Sequence, residues 1–190
     1  MVMLPDVQER ITNLQVPNLI YGPFYAGTYK EILNYFAKNL DAQDVHEDCA
    51  KLGVALCYSW MPTICKSHIL FSNSSDFFPA LQLARTTELD EESLEKIVKY
   101  IGGSVIATSK FLHFLKPQAY AIWDSRVAQS AYGLRKYPQY NISTKYLSYL
   151  RDLRDLKLSQ SLLTHFREKM PYATELRMKE LALFHLKSGN

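Results

Sequence analysis

Residues 101–127 read Ile101-Gly102-Gly103-Ser104, then Val105-Ile-Ala-Thr-Ser-Lys110-Phe-Leu-His113-Phe-Leu115, then Lys116-Pro117-Gln-Ala-Tyr-Ala-Ile-Trp123-Asp124-Ser125-Arg126-Val127. Leu94, Ile97, Val98 and Ile101 recur at helical spacing just before it, and Asp90 stands where a helix cap is needed. Two glycines and a serine then break the helix, and a second, almost wholly apolar helix follows. A proline-led turn separates that helix from Asp124, which in turn stands before Ser125-Arg126-Val127-Ala128 as a helix N-cap would. The expectation is helix, glycine hairpin, helix, turn, helix.

Outward from this centre the chain reads as helical. Pro5 opens a short helix through Leu14, and Val16–Pro23 is an extended aromatic-rich connector. Thr28 and Glu31 form a capping-box pattern ahead of Ile32, Leu33, Phe36 and Leu40. Asp44 and Glu47 repeat it ahead of a stripe made by Val45, Cys49, Leu52, Leu56 and Trp60, which Pro62 ends. Ser72–Asp76 is a polar loop, with Pro79 in the first turn of the next helix. Beyond the centre, Gly133 stops a helix, Leu134–Asn141 is a basic, tyrosine-containing loop, and Ser143 caps a helix with Leu147, Leu150, Leu153 and Leu156 on one side. Two further helices span roughly 160–170 and 174–186. Strand alternation is rare and no internal repeat occurs. The expected fold is all-α: one compact helical domain over 1–190, of about eight to ten helices, with a helix-hairpin-helix and its following aspartate at 90–133.

The composition, 47% hydrophobic and 22% charged over 190 residues, fits one globular core. Cys49, Cys57 and Cys65 make no C-x-x-C pair, so core thiols in a reducing compartment are expected rather than disulfides or a zinc knuckle. The first residues lack a signal-peptide pattern and no apolar run approaches a membrane span. A cytoplasmic protein without membrane contact is therefore expected. Motifs for a P-loop, a nucleophile elbow or a zinc protease are absent, and no metal or cofactor is implied. The net charge of +3 is uneven. Residues 1–100 carry 8 Lys+Arg against 13 Asp+Glu, whereas residues 101–190 carry 14 against 6. A basic half beginning at the hairpin suits a protein that docks phosphates; an unevenly charged solvated surface is the plainer alternative.

The central segment resembles the helix-hairpin-helix DNA glycosylases. In these a Lys-Pro-x-Ala-type turn leads to a catalytic aspartate that opens a helix, as Lys116-Pro117-Gln118-Ala119 leads to Asp124. It is similar, more closely, to uncharacterised 8-oxoguanine-glycosylase-like proteins of bacteria and large phages. The matching residues are Ser109-Lys110-Phe111-Leu112-His113-Phe114-Leu115, Pro117, Ile122-Trp123-Asp124-Ser125-Arg126-Val127, and Leu176-Arg177, Glu180 and Ala182-Leu183-Phe184. Residues 1–80 carry no match. The resemblance implies a DNA-repair protein that binds duplex DNA and excises a damaged or modified purine. Asp124 would be the essential carboxylate and Lys110 the candidate nucleophile. Gly102, Gly103 and Ser104 would meet a phosphate through backbone amides, since glycine permits close approach and a helix start favours an anion. Arg126, Arg135 and Lys136 would be further DNA contacts.

Three departures from the family pattern stand beside this. Val105 occupies the place of the family's Schiff-base lysine, and Lys110 lies five residues on, about 140° around the helix. It serves only if the hairpin register differs. Ile101 replaces the first hairpin glycine, and Lys99-Tyr100 replaces Leu-Pro. A non-catalytic helical protein therefore remains the alternative, either a degenerate glycosylase fold or a virus-encoded accessory or adaptor, binding DNA or a protein partner. Taken singly, Asp124 reads as a helix cap, Lys110 as a surface lysine or phosphate contact, and His113 as a core histidine.

Overall fold

A computed structural model describes residues 1–15, 23–40, 45–60 and 74–186. Among these the chain is all-α, with eleven helices and no strand. They are α1 Val7–Thr12, α2 Pro23–Asn39, α3 Glu47–Ser59, α4 Ser74–Thr86, α5 Glu91–Tyr100, α6 Val105–Leu115, α7 Ser125–Tyr132, α8 Tyr137–Tyr140, α9 Ser143–Asp155, α10 Gln160–Lys169 and α11 Glu175–His185. The count passes the expected eight to ten partly because the basic loop after Gly133 itself contains α8, a single turn.

The helix α6 sits at the centre. Every residue of it but Ile106 is buried, as an all-round apolar helix must be. It packs against α2, α3, α5 and α9, while α11 packs against α7, α9 and α10. Both groups meet at α9, so the helices bury one continuous core. The local signals around α5, α6 and α7 act as expected. Asp90 Oδ1 accepts the Ser93 amide at 2.7 Å, and Leu94, Ile97, Val98 and Ile101 are all buried. Gly133 ends α7 with φ 68°, the left-handed conformation that favours glycine. Among the described residues no helix is long and apolar enough to cross a membrane.

The amino-terminal part departs from expectation. Thr28 lies inside α2 rather than capping it. His46, not Asp44, is the N-cap of α3, its Nδ1 accepting the Asp48 amide. Asp44, Pro62, Cys65 and the connector 16–22 lie outside the described residues. Residues 74–76 of the expected polar loop already belong to α4, which places Pro79 in the helix interior rather than its first turn. Ser143 is the first residue of α9, with Ile142 as its cap.

The buried face of α3 is made by Ala50, Gly53, Val54 and Cys57. The expected stripe flanks this face: Val45, Cys49, Leu56 and Trp60 are partly buried against the core, while Leu52 is 49% exposed. The reason is closeness of approach. A Cβ on Gly53 would lie 2.9 Å from Leu40 Cδ1 and 3.2 Å from the rings of Phe36 and Phe111, so only small residues fit where α3 meets α2 and α6.

Candidate functional site

Residues Tyr120–Trp123 form no helix, yet all four are buried. Buried backbone carbonyls need donors, and here each finds one from a side chain. His113 Nδ1 donates to the Tyr120 carbonyl at 2.8 Å, Tyr146 to that of Ala121 at 3.1 Å, and Tyr149 to that of Ile122 at 3.0 Å. The Ser109 hydroxyl reaches the Trp123 carbonyl at 3.1 Å and accepts the Trp123 amide at 2.9 Å. Trp123 Nε1 donates to the Tyr140 carbonyl at 2.7 Å. Side chains of α6 and α9 thus hold an extended strap whose next residue is Asp124.

Asp124 caps α7, its Oδ1 accepting the Val127 amide at 2.9 Å. The cap does not bury it: Asp124 is half-buried and lines a cavity of about 150 Å³ with Trp60, Lys110, Ile122, Arg177, Glu180, Leu181 and Phe184. Lys110 and Asp124, from different elements, therefore share one cleft. No contact ion pair joins them, although the Asp124 charge acts on the amine.

Lys110 leaves α6 and donates from Nζ to the Trp60 carbonyl at 2.8 Å, at the C-cap of α3. A helix C-terminus carries partial negative charge and suits an ammonium. Burial nonetheless pushes the Lys110 pKa down; Asp124 and Cys57 oppose that shift, and Arg177 adds to it. The amine is thus more readily neutral, and more nucleophilic, than a surface lysine.

The far wall of the cleft is α11. Arg177 and Glu180, one turn apart, form an ion pair, each about 2% exposed, and the Arg177 guanidinium lies 5.5 Å from the Tyr29 ring centroid. The Tyr29 hydroxyl meets His113 Nε2 at 2.9 Å. Since a carbonyl only accepts, His113 Nδ1 carries the proton and Nε2 accepts from Tyr29. Burial first, and then the Arg177 charge, pushes the His113 pKa down to about 3. His113 is a neutral core histidine that braces the strap, as the sequence suggested, and it takes no part in the cleft lining.

Arg126 is exposed beside the cleft, its guanidinium 4.4 Å from the centroid of Phe184, a cleft residue. It forms no ion pair with Asp124. The glycine turn lies at the other end of α6. Gly102 and Gly103 have φ of 94° and 77°, the left-handed side on which glycine is favoured. Their amides donate to the carbonyls of Lys99 and Val98. At the start of α6, Ser104 Oγ accepts the Ala107 amide, and Asn141 Oδ1 accepts the Val105 amide at 2.8 Å. Two amides of the turn and two of the first turn of α6 are thus bonded within the chain, and those of Ser104 and Ile106 are not. Arg135 and Lys136 are exposed in the loop before α8 and not in the cleft.

The sequence reading missed Trp60, Arg177, Glu180 and Phe184 as cleft residues, and Asn141 as a partner of the turn. The available signal for the first group was a set of charges, Arg177, Lys179 and Glu180, among the apolar residues Leu176, Met178 and Leu181–Leu183 of one helix. Among the described residues no group of three or more His, Cys, Asp or Glu is placed to hold a metal ion. Comparison of the chain with protein-family models, with curated proteins and with solved structures returned no match.

Proposed function

We propose that this is a DNA-binding, glycosylase-like protein that receives an extruded, damaged or modified purine nucleotide at the cleft between Lys110 and Asp124. The observation that carries this reading is the shared cleft itself: a desolvated amine and a strapped carboxylate, apart from each other, with aromatic Trp60 and Phe184 in the lining. Its volume is well under the roughly 300 Å³ at which small-molecule sites usually begin. Such a cavity has room for one part of a ligand, as the base or sugar of a nucleotide still attached to its strand would be. Asp124 would stabilise positive charge developing on the sugar as the base departs, with the base leaving on the electrons of the N-glycosidic bond. Lys110 would attack the anomeric carbon as the base leaves, and opening of the sugar's ring C–O bond, with the amine's protons passing to the base and the ring oxygen, would leave an imine.

The test is single-turnover excision from duplexes carrying one 8-oxoguanine or another oxidised or alkylated purine. Asp124→Asn should lose at least about a hundredfold in rate. An undiminished rate would remove Asp124 from the chemistry.

A second reading has its own support in the glycine turn, where Asn141 takes the Val105 amide and the turn's other bonds are internal. A non-catalytic descendant, binding DNA or a protein partner without excision, is the reading to adopt if wild-type protein excises no base from such a panel.

A further inference from the structure

The stretch 99–151 contains eight lysines and arginines, Lys99, Lys110, Lys116, Arg126, Arg135, Lys136, Lys145 and Arg151, and one acid, Asp124. The structure brings part of this imbalance onto one surface. Asn141 uses both ends of its amide on the glycine turn, Oδ1 accepting from Val105 N at 2.8 Å and Nδ2 donating to Gly103 O at 3.0 Å. The loop before Asn141 is itself tied together. Gln139 Oε1 accepts the amides of Arg135 and Lys136, each at 3.0 Å, and Lys145 Nζ donates to the Gln139 carbonyl at 2.6 Å. Turn 101–104 and loop 134–145 are therefore one stapled unit. Arg135 and Lys136 project from it into solvent, Tyr137 is 50% exposed beside them, and none of Arg135, Lys136 or Lys145 has a carboxylate partner among the described residues. Gly103 adds a bare patch of backbone: a Cβ there would meet nothing within 4 Å.

We propose that this unit is the surface on which duplex DNA rests, with its phosphates held by the side-chain cations of loop 134–145 rather than by the amides of the glycine turn. This rests on the DNA-binding reading above and changes which atoms carry it. The amides of Gly102, Gly103, Val105 and Ala107 are already bonded within the chain, Val105 N to Asn141 itself, which leaves only those of Ser104 and Ile106 to meet a phosphate. What the turn supplies is a side-chain-free backbone over which a polyanion can lie close to the cations. Asn141 is the positioning residue that fixes the loop's cations against the turn, and so against the start of α6, the helix that carries Lys110. Duplex DNA is favoured over an acidic protein because the unit offers several point charges and uncovered backbone, with Tyr137 and Ile142 as its exposed large hydrophobics among the described residues, fewer than a protein interface usually gathers.

The experiment is equilibrium binding of the full chain to an unmodified 20-base-pair duplex by fluorescence anisotropy, between about 50 and 200 mM salt, where counterion release makes affinity fall steeply. Replacing Arg135, Lys136 and Lys145 by Ala should flatten the log–log salt dependence by about two to three and weaken binding at least about tenfold at intermediate salt. Asn141→Ala should also flatten it, although no charge is removed, because the cations lose their register; thermal unfolding of the same sample separates this from loss of fold. Binding by wild type that the triple variant leaves unchanged overturns this surface while leaving DNA binding standing. Absence of wild-type binding at low salt overturns both. Polyglutamate bound as tightly as the duplex overturns the choice of nucleic acid.

Discussion

Ser109 accepts the backbone amide of Trp123 at 2.9 Å, which ties the residue preceding Asp124 to the helix that carries Lys110. Lys110 and Asp124 are thus linked through their chain neighbours Ser109 and Trp123 and the one buried hydrogen bond between them, not by a direct contact. The same strap is braced by His113, Tyr146 and Tyr149 through three successive carbonyls. Asp124 is positioned by backbone that has no freedom to move without breaking several buried bonds at once.

Ser109→Ala leaves the Trp123 amide buried with its acceptor gone. The expected cost is about 1–3 kcal/mol of stability. Base excision should fall more than folding does, because a displaced carboxylate no longer faces the sugar. Urea denaturation and single-turnover rates on the same sample check this; equal behaviour to wild type in both would show that the strap holds without Ser109.

The Arg177–Glu180 pair should behave as a buried ion pair. Glu180→Ala removes the buried carboxylate paired with Arg177 and should cost about 3–5 kcal/mol. Replacing both together, with Met at 177 and Leu at 180, should cost much less than the sum of the single changes. A double-mutant cycle in urea measures the difference, and simple additivity would mean that the two side chains do not interact.

His113 sets an acid limit. Its folded pKa is held near 3, below the ordinary value of 6.5, because burial and then the Arg177 charge disfavour the charged ring, with the bond to the Tyr120 carbonyl opposing them. The unfolded chain takes up the proton first. This contribution is therefore complete above about pH 6.5 and is lost as pH falls toward 3, at about 1.4 kcal/mol per pH unit. Unfolding free energies at several pH values in that window should show the slope. His113→Leu should be less stable at neutral pH and should lack this part of the slope.

The central helices were legible because their signals are local. Asp90 and Ser93, Gly133 at the end of α7, and Asp124 before Val127 each concern residues three or four apart. The face of α3 was not legible, because the sequence weights large side chains and the contact demands small ones. Leu52 and Leu56 look like core, yet Gly53 is what lets Leu40, Phe36 and Phe111 approach. Pro79 was misplaced because α4 already begins at Ser74, which leaves the proline in its interior. In the cleft, Lys110 and Asp124 stood out through the family resemblance of the Ser109–Leu115 block and the Lys116–Ala119 turn, and by themselves read as a surface lysine and a helix cap. Trp60 and Arg177 did not, since they come from the C-cap of α3 and from α11, more than a hundred residues apart, and only packing brings them to the same cavity. Asn141 was hidden for the same reason, as its partners Gly103 and Val105 lie more than thirty residues away.

Lys110 gives the sharpest test of the cleft. On duplex DNA with an abasic site, its neutral amine would add to the sugar aldehyde and lose water to form an imine, which borohydride reduces to a stable amine link. Lys110→Ala should abolish this trapped product. Because burial lowers the Lys110 pKa, trapping by wild type should rise with pH through a midpoint below that of an ordinary lysine, about 10.4. The Asp124 charge opposes that shift, so Asp124→Asn, which keeps the helix cap, should move the midpoint lower still. Trapping on abasic DNA does not require base departure, so this profile can be read even when Asp124→Asn has lost excision. A midpoint that does not move on removing the carboxylate would mean that the two residues do not share a cleft in solution. A midpoint that moves down would show the amine sensing the carboxylate across the space where a sugar would sit.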